Sequence, residues 1–147
     1  MTWPEPAPLR SAGLCTMRIL LGLIFFWQGH AKVFSWGMDR LWEQTFSAFS
    51  TTFLPDWLLR TTMYYTSYAE LICGACLVLG LARKNAYLVL CSVLIIVAFG
   101  HGLQEGIWNL HHVIFRATLL VPLILLPMHW DRWALDRFLS SAVRRAG

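Results

Sequence analysis

The residues with the clearest chemical potential are ionisable side chains inside apolar segments. Glu70 lies in the middle of such a segment, and Lys32 and Arg116 occupy two others. A charge inside a bilayer costs about 2.5 kcal/mol or more on insertion scales, so each needs a partner, a cavity or a functional reason. A lone carboxylate at that depth is expected to be protonated unless a cation lies beside it. Lys32 or Arg116 is therefore the expected counter-charge of Glu70.

Two interpretations of these three residues stay open. One is a structural Glu–Lys or Glu–Arg tie inside the protein, and the other is a direct role in ligand binding or proton movement. Lys32 has a further alternative, because a long lysine near a helix end can extend to the outer interface instead of pairing. Glu70, Lys32 and Arg116 are thus the candidates for catalysis.

A second set of polar residues gathers at the predicted outer ends of three segments and provides the candidate ligand-binding residues. They are Gln28, His30, His101, His111 and His112. Histidines in such a set suit metal ligation, proton relay or hydrogen bonding to a quinone carbonyl, or have no special role at the interface. The metal signal is weak, because adjacent residues such as His111 and His112 diverge by about 100° on a regular helix. No metal ligand is assigned.

Four apolar segments must position these residues. The chain is 57% hydrophobic and only 14% charged, with a mean hydropathy of +0.54. The segments cover about 14–36, 57–81, 86–103 and 108–128, and each can cross a hydrocarbon core of about 30 Å at 1.5 Å per residue. The first has no small-x-small cleavage site and is expected to be retained. The sequence predicts an all-α integral membrane four-helix bundle, one domain over residues 1–147, with a soluble helical bundle as the alternative.

Basic residues and tryptophans indicate the orientation. With a cytoplasmic N-terminus, eight of the twelve Lys and Arg residues lie inside and four lie outside or within spans, which favours N-in, C-in. Most tryptophans fall at predicted helix ends, where the ring prefers the headgroup layer, namely Trp36, Trp57, Trp108, Trp130 and Trp133. The basic residues form no stripe, so nucleic acid is not an expected partner.

Two further segments are amphipathic. Trp42, Phe46, Phe49 and Phe53 recur at helical spacing and predict a short helix between the first two spans, on the outer membrane surface or capping the bundle. Residues 131–145 place apolar side chains among arginines and predict an interfacial helix on the cytoplasmic side.

The motif residues resemble a known family over roughly residues 14–103. The patterns are Arg18-x3-Gly22-x6-Gly29-x2-Lys32, Glu70-x3-Gly74, and Leu79-Gly80 followed by Arg83. They are similar to those of the DoxX family of small bacterial membrane proteins. The ending Trp133-Ala134-Leu135-Asp136 is similar to the Ser-Leu-Asp that often follows the last DoxX helix, although the glycines that usually precede it are absent.

The resemblance implies a four-helix membrane bundle in the bacterial inner membrane. For the relatives that give the family its name, it also implies association with thiosulfate:quinone oxidoreductase. His101, His111, His112 and Arg116 lie outside the family pattern.

The functional hypothesis is a redox-associated subunit, part of a quinone-linked oxidoreductase, that binds a quinone or a similar lipid-soluble carrier. No haem, flavin or iron–sulfur motif accompanies it, so electrons would come from another membrane or periplasmic subunit or from a ligand. One alternative is a non-enzymatic accessory or scaffold subunit of a larger membrane complex. The other is metal or solute handling on the outer face through the histidines.

Overall fold

The computed structural model describes residues 8–106 and 111–139, and all regular structure in these ranges is helical. The α-helices are α1 (Pro8–His30), α2 (Met38–Leu41), α3 (Asp56–Leu79), α4 (Arg83–Glu105) and α5 (His111–Leu125). The other helical turns are π-helices at Ala31–Trp36 and Trp42–Phe46 and 3₁₀-helices at Ser47–Thr51 and Met128–Trp130. The chain is helical again over 135–139.

The helix ends follow from local backbone chemistry. The segment expected at 57–81 stops at Leu79 because Gly80 adopts a left-handed conformation with φ of +72°. The N–H groups of Gly80 and Leu81 then donate to carbonyls of the last turn of α3, as in a Schellman motif. The segment expected at 108–128 ends at Leu125, since Pro127 disfavours helix at the residue before it. The start of that segment lies outside the described residues.

Helices α1 and α3 cross at a distance that only glycine permits. A Cβ added to Gly29 would lie 2.3 Å from the Leu71 nitrogen, and one on Gly74 would lie 2.4 Å from the Phe26 nitrogen. A Cβ on Gly22 would lie 3.0 Å from the carbonyl oxygen of Gly74. Small residues at a helix interface allow this backbone approach and favour association in lipid. The glycines therefore fix the register between α1 and α3.

The four long helices contact one another in a ring. Helix α1 packs on α3 and α5, and α4 packs on the same two helices. The apolar interior draws on all four, with Leu21, Phe25, Leu77, Leu90, Val93 and Leu120 almost fully buried. Each long helix thus turns one side towards the centre and leaves the other outside.

The outward sides are strongly apolar. Large exposed side chains along the four helices include Leu20, Ile24, Ile72, Leu88, Ile95, Ile114, Phe115 and Leu125. By length and composition, two described helical stretches suffice to cross a membrane, Pro8–Trp36 with 29 residues and Arg83–Glu105 with 23. His111–Leu125 is apolar but shorter. Helix α3 is long enough at 24 residues, but its N-terminal half is polar.

The segment between α1 and α3 packs against the helices instead of only lying on a surface. It is helical from Met38 to Thr51, and the ring of Phe49 is buried beside Gly100 of α4. The prediction that Phe53 shares the apolar face is wrong. The chain leaves the helix after Thr51, and the Phe53 side chain is 77% exposed.

A buried ion-pair network joins the helices at the opposite end. Arg18, only 1% exposed, places Nε 2.6 Å from Asp131 Oδ2. Its Nη1 donates to the carbonyl oxygens of Leu77 and Val78 at the end of α3. Arg83 Nη1 reaches the same Asp131 oxygen at 3.4 Å. One carboxylate therefore ties α1, the start of α4 and the segment after α5 together.

This network corrects two expectations about the chain after α5. Trp130, expected in the headgroup layer, is buried, because Arg18 draws the neighbouring Asp131 into the interior. Trp133, Phe138 and Leu139 are exposed, as an interfacial helix requires, but the start of the segment is anchored to the protein. The rest of the predicted tail, residues 140–145, lies outside the described part of the chain.

Asp136 adds a second anchor by capping α4. Its carboxylate accepts the backbone N–H groups of Ala82 at 2.8 Å and Arg83 at 3.1 Å, and the Arg83 Nε lies 3.3 Å away. Burial alone would raise the pKa of Asp136. The two backbone hydrogen bonds and the Arg83 guanidinium outweigh burial, so the pKa is lowered from its ordinary 3.8.

A first prediction tests the close crossing of α1 and α3. Gly29→Ala forces the new methyl group into the Leu71 backbone, so we expect the free energy of unfolding to fall by about 2 kcal/mol or more. Gly13→Ala on the same helix is the matched control, since nothing lies within 4 Å of its added Cβ. Thermal unfolding in mild detergent, followed by circular dichroism, compares the two. Equal melting temperatures for the two variants would contradict the crossing.

A second prediction concerns acid stability. Because the folded-state pKa of Asp136 is lowered, its stabilising contribution is complete above the ordinary pKa and is lost as the pH falls through the folded value. We expect Asp136→Asn to destabilise the protein by about 0.5 kcal/mol at neutral pH, because asparagine can still accept the backbone hydrogen bonds but lacks the negative charge. The difference from the unaltered protein should shrink below about pH 4. Asp39→Asn, on the exposed outer segment, is the control, and a difference that is independent of pH would refute the cap.

Candidate functional site

The ionisable groups expected to pair do so across α1 and α3. Lys32 Nζ lies 2.6 Å from Glu70 Oε2, and the side chains are 27% and 0% exposed respectively. Lys32 follows Gly29 by three residues, and Glu70 precedes Leu71. The contact of Gly29 with the Leu71 backbone therefore also brings the two charges together.

Lys32 lies where the helix changes its geometry. Helix α1 continues beyond His30 as the π-helix Ala31–Trp36, which ends at Gly37 with φ of +78°. A π-helical turn rotates its side chains away from the directions of a regular α-helix, and such turns recur at functional sites. The lysine thus stands on the irregular extension of a helix whose preceding turn is fixed by Gly29.

Two buried acceptor atoms at this level have no hydrogen-bond partner among the described residues. They are Glu70 Oε1, the carboxylate oxygen that Lys32 does not contact, and the amide oxygen Oε1 of Gln28. The buried hydroxyls of Thr66 and Ser67, in contrast, donate to carbonyls of their own helix. A buried acceptor without a donor costs about 1–3 kcal/mol, so two such atoms in one region require an explanation.

Arg116 brings a second cation to the site from α5. Its side chain is buried, and its guanidinium carbon lies 5.5 Å from the centre of the Phe25 ring. It is close enough to Glu70 to be attracted electrostatically, yet it forms no ion pair with any described residue. Lys32 and Arg116 carry two positive charges and Glu70 carries one negative charge. This poorly solvated region therefore has one positive charge in excess.

Three of the four candidate histidines meet where the C-terminal end of α4 adjoins the N-terminal end of α5. The ring centres of His101 and His112 are 6.4 Å apart, and those of His111 and His112 are 3.9 Å apart. Directions that diverge by about 100° on a regular helix thus still allow the rings of His111 and His112 to lie side by side. Within the described ranges, no three His, Cys, Asp or Glu side chains are arranged to hold a metal ion.

His30 belongs to a different environment. Its ring lies 5.5 Å from Trp27 and 5.1 Å from Phe34, both of which are exposed side chains on the same helical stretch. Among the ring contacts of the described residues, none joins His30 to the other histidines. The structure therefore separates His30, on the outward face of α1, from the outer histidine cluster.

The sequence alone does not predict that Arg18, Arg83, Asp131 and Asp136 form one ion-pair network. It indicates only that Arg18 and Arg83 are among the basic residues that set the topology, and that Asp131 and Asp136 belong to the amphipathic tail. The available signal was the placement of two acids just after the last apolar segment, among residues otherwise basic. These pairs balance one another in charge, which distinguishes them from the positive excess around Glu70.

A third prediction tests the buried ion pair. Lys32→Met removes the cation that contacts the buried Glu70 carboxylate and leaves only Arg116 to attract it, so we expect a loss of about 3 kcal/mol in the free energy of unfolding. The double variant K32M/E70Q should recover much of this loss, because the amide is neutral. Lys84→Met, at an exposed inner position, should change stability by less than about 0.5 kcal/mol. Thermal unfolding measures all three, and equal stability of K32M and the double variant would rule out an ionised pair.

The family model described as DoxX matches residues 13–102, which span α1 to most of α4 and include Lys32 and Glu70. Arg116 and the histidines of α5 lie beyond the match. No curated protein and no solved structure matches the chain. The family match covers more than half of the sequence and agrees with the apolar helices, so this chain is a membrane protein that belongs to the DoxX family.

Proposed function

We propose that the protein is a multi-pass protein of the bacterial inner membrane, in which α1, α3, α4 and α5 form a four-helix transmembrane bundle with both termini in the cytoplasm. The charges at the two ends support this orientation. The end with the Arg18–Asp131 network carries six described Lys and Arg residues, Arg10, Arg18, Arg83, Lys84, Arg132 and Arg137. The opposite end carries only four, Lys32, Arg40, Arg60 and Arg116, beside the acidic side chains of Asp39, Glu43, Asp56 and Glu105.

Within this topology, we propose a quinone-linked redox subunit with its site around Glu70. The observation that carries the proposal is the imbalance at that site, where one fully buried carboxylate contacts Lys32, attracts Arg116 electrostatically and retains an oxygen without a described partner. A structural tie balances its charges and satisfies its oxygens, as the network of two arginines and two aspartates around Asp131 illustrates. Excess positive charge in a region of low dielectric stabilises negative charge that develops on a bound molecule.

Each side chain has a role in this proposal. Lys32 and Arg116 stabilise the negative charge that develops on a carrier oxygen during reduction, and Glu70 exchanges the accompanying proton. His101, His111 and His112 provide titratable groups between this site and the outer surface. Gln28 offers an acceptor inside the bundle, whereas His30 contacts a carrier approaching along the lipid-facing side of α1.

The carrier would come from the bilayer and the electrons from another subunit. The long helices expose apolar side chains on their outer faces, so a lipid-soluble carrier can reach the helices laterally. The proposal therefore requires a membrane or periplasmic partner that holds a redox centre.

A fourth prediction tests the function by copurification. The chain, isolated from native membranes in mild detergent, should retain quinone above its ratio to phospholipid in the surrounding membrane, as measured by mass spectrometry. E70Q and K32M should lose this enrichment by about tenfold while remaining monodisperse, because each removes a charge that binds the carrier. K84M is the matched control and should retain quinone.

Two outcomes would decide against the proposal. A quinone-to-phospholipid ratio equal to that of the membrane would remove its basis. Copurification of partner proteins without any enriched small molecule would instead favour an accessory subunit, with Lys32 and Glu70 acting as an internal tie.

A further inference from the structure

The hydrogen-bonding capacity of the site is unbalanced in a specific way. Glu70 Oε1 and Gln28 Oε1 are acceptors that lack donors, whereas the Arg116 guanidinium carries donors without a described carboxylate partner. Lys32 already donates to the other Glu70 oxygen. A bound molecule that completes this site must therefore donate hydrogen bonds as well as accept them.

These groups lie at neighbouring levels of the bundle. Phe25 and Gln28 lie about one turn apart and within about 60° of each other on α1, and Lys32 follows on the π-helix about one turn later. Arg116 lies over the ring of Phe25 at the lower level, and Glu70 contacts Lys32 at the upper level. Gln28 lies between these two levels of the sequence, and its amide oxygen is buried there without a donor among the described residues.

Oxidised and reduced quinones differ in their ability to donate hydrogen bonds. The two carbonyl groups of a quinone only accept hydrogen bonds, so they can satisfy Arg116 but leave both acceptors unpaired. The two hydroxyl groups of a quinol donate and also accept. Leaving buried polar groups unpaired is the strongest basis on which a site rejects a close analogue.

We propose that the site around Gln28, Glu70 and Arg116 binds the reduced, dihydroxy form of the carrier more tightly than the oxidised form. A hydroxyl group donates to Glu70 Oε1 or Gln28 Oε1, and its oxygen accepts from Arg116. This inference rests on the proposed quinone-linked function and specifies which redox form the site stabilises. Tighter binding of the reduced form raises the reduction potential of the bound carrier, by about 30 mV for each tenfold preference in a two-electron couple.

Binding of the two redox forms of one probe tests the inference. The full chain in lipid nanodiscs is titrated with decyl-ubiquinone and, under anaerobic conditions, with decyl-ubiquinol, by equilibrium partition against nanodiscs without protein. We expect the quinol to bind at least about tenfold more tightly. Gln28→Leu should reduce this preference several-fold, and Gln104→Leu, at an exposed glutamine near the end of α4, should leave it unchanged.

A redox titration provides a readout that does not depend on any variant. The midpoint potential of protein-bound probe should lie at least about 30 mV above that of probe in empty nanodiscs. Equal affinities with an unshifted potential would overturn the preference while leaving the quinone-linked function intact. Failure of both forms to bind would overturn the proposed function itself, and would show that Glu70 Oε1 and Gln28 Oε1 are satisfied by water only.

Discussion

Helices α1 and α3 touch backbone to backbone, and the polar contacts of the protein depend on that approach. Gly29 against Leu71 and Gly74 against Phe26 leave no room for a side chain at the crossing. The contact sets the register of two antiparallel helices along their whole length. At one end Lys32 consequently meets Glu70, and at the other Arg18 reaches the carbonyl of Leu77. A shift of one residue along either helix would separate both contacts.

The two ends of this crossing use their charges differently. At the inner end, Arg18 and Arg83 face Asp131 and Asp136, so the charges cancel and the carboxylates collect several donors. At the outer site, Glu70 faces Lys32 and Arg116 and keeps one oxygen without a donor. A structural tie gains stability by satisfying every group, whereas a binding site must leave some groups for its ligand. We therefore interpret the network around Asp131 as a structural anchor and the site around Glu70 as a candidate binding or catalytic site.

Local properties of the sequence were sufficient to predict the apolar helices, the family and the two candidate partners of Glu70. Glu70 was recognisable because an isolated carboxylate in an apolar segment demands a cation, and Lys32 was at a compatible depth. The bond between Arg18 and Asp131 joins residues 113 positions apart, and no local pattern specifies such a pairing. The burial of Trp130 depends on that pairing, so it cannot be predicted from the local sequence either. Phe53 is exposed because the helix ends earlier than the spacing of the aromatic residues predicts. The distance between the rings of His111 and His112 also cannot be predicted from helical spacing alone.

The ionised state of Glu70 is the central claim, and infrared difference spectroscopy tests it most directly. Spectra of the unaltered protein and of E70Q, recorded in nanodiscs at neutral pH, isolate the bands of this one side chain. A buried ion pair with Lys32 predicts that E70Q removes a carboxylate stretching band and that K32M shifts the frequency of this band, because the cation in contact with the carboxylate is lost. A carboxylic acid band for Glu70 in the unaltered protein would contradict the ion pair, and with it the charge imbalance from which the functional proposal follows.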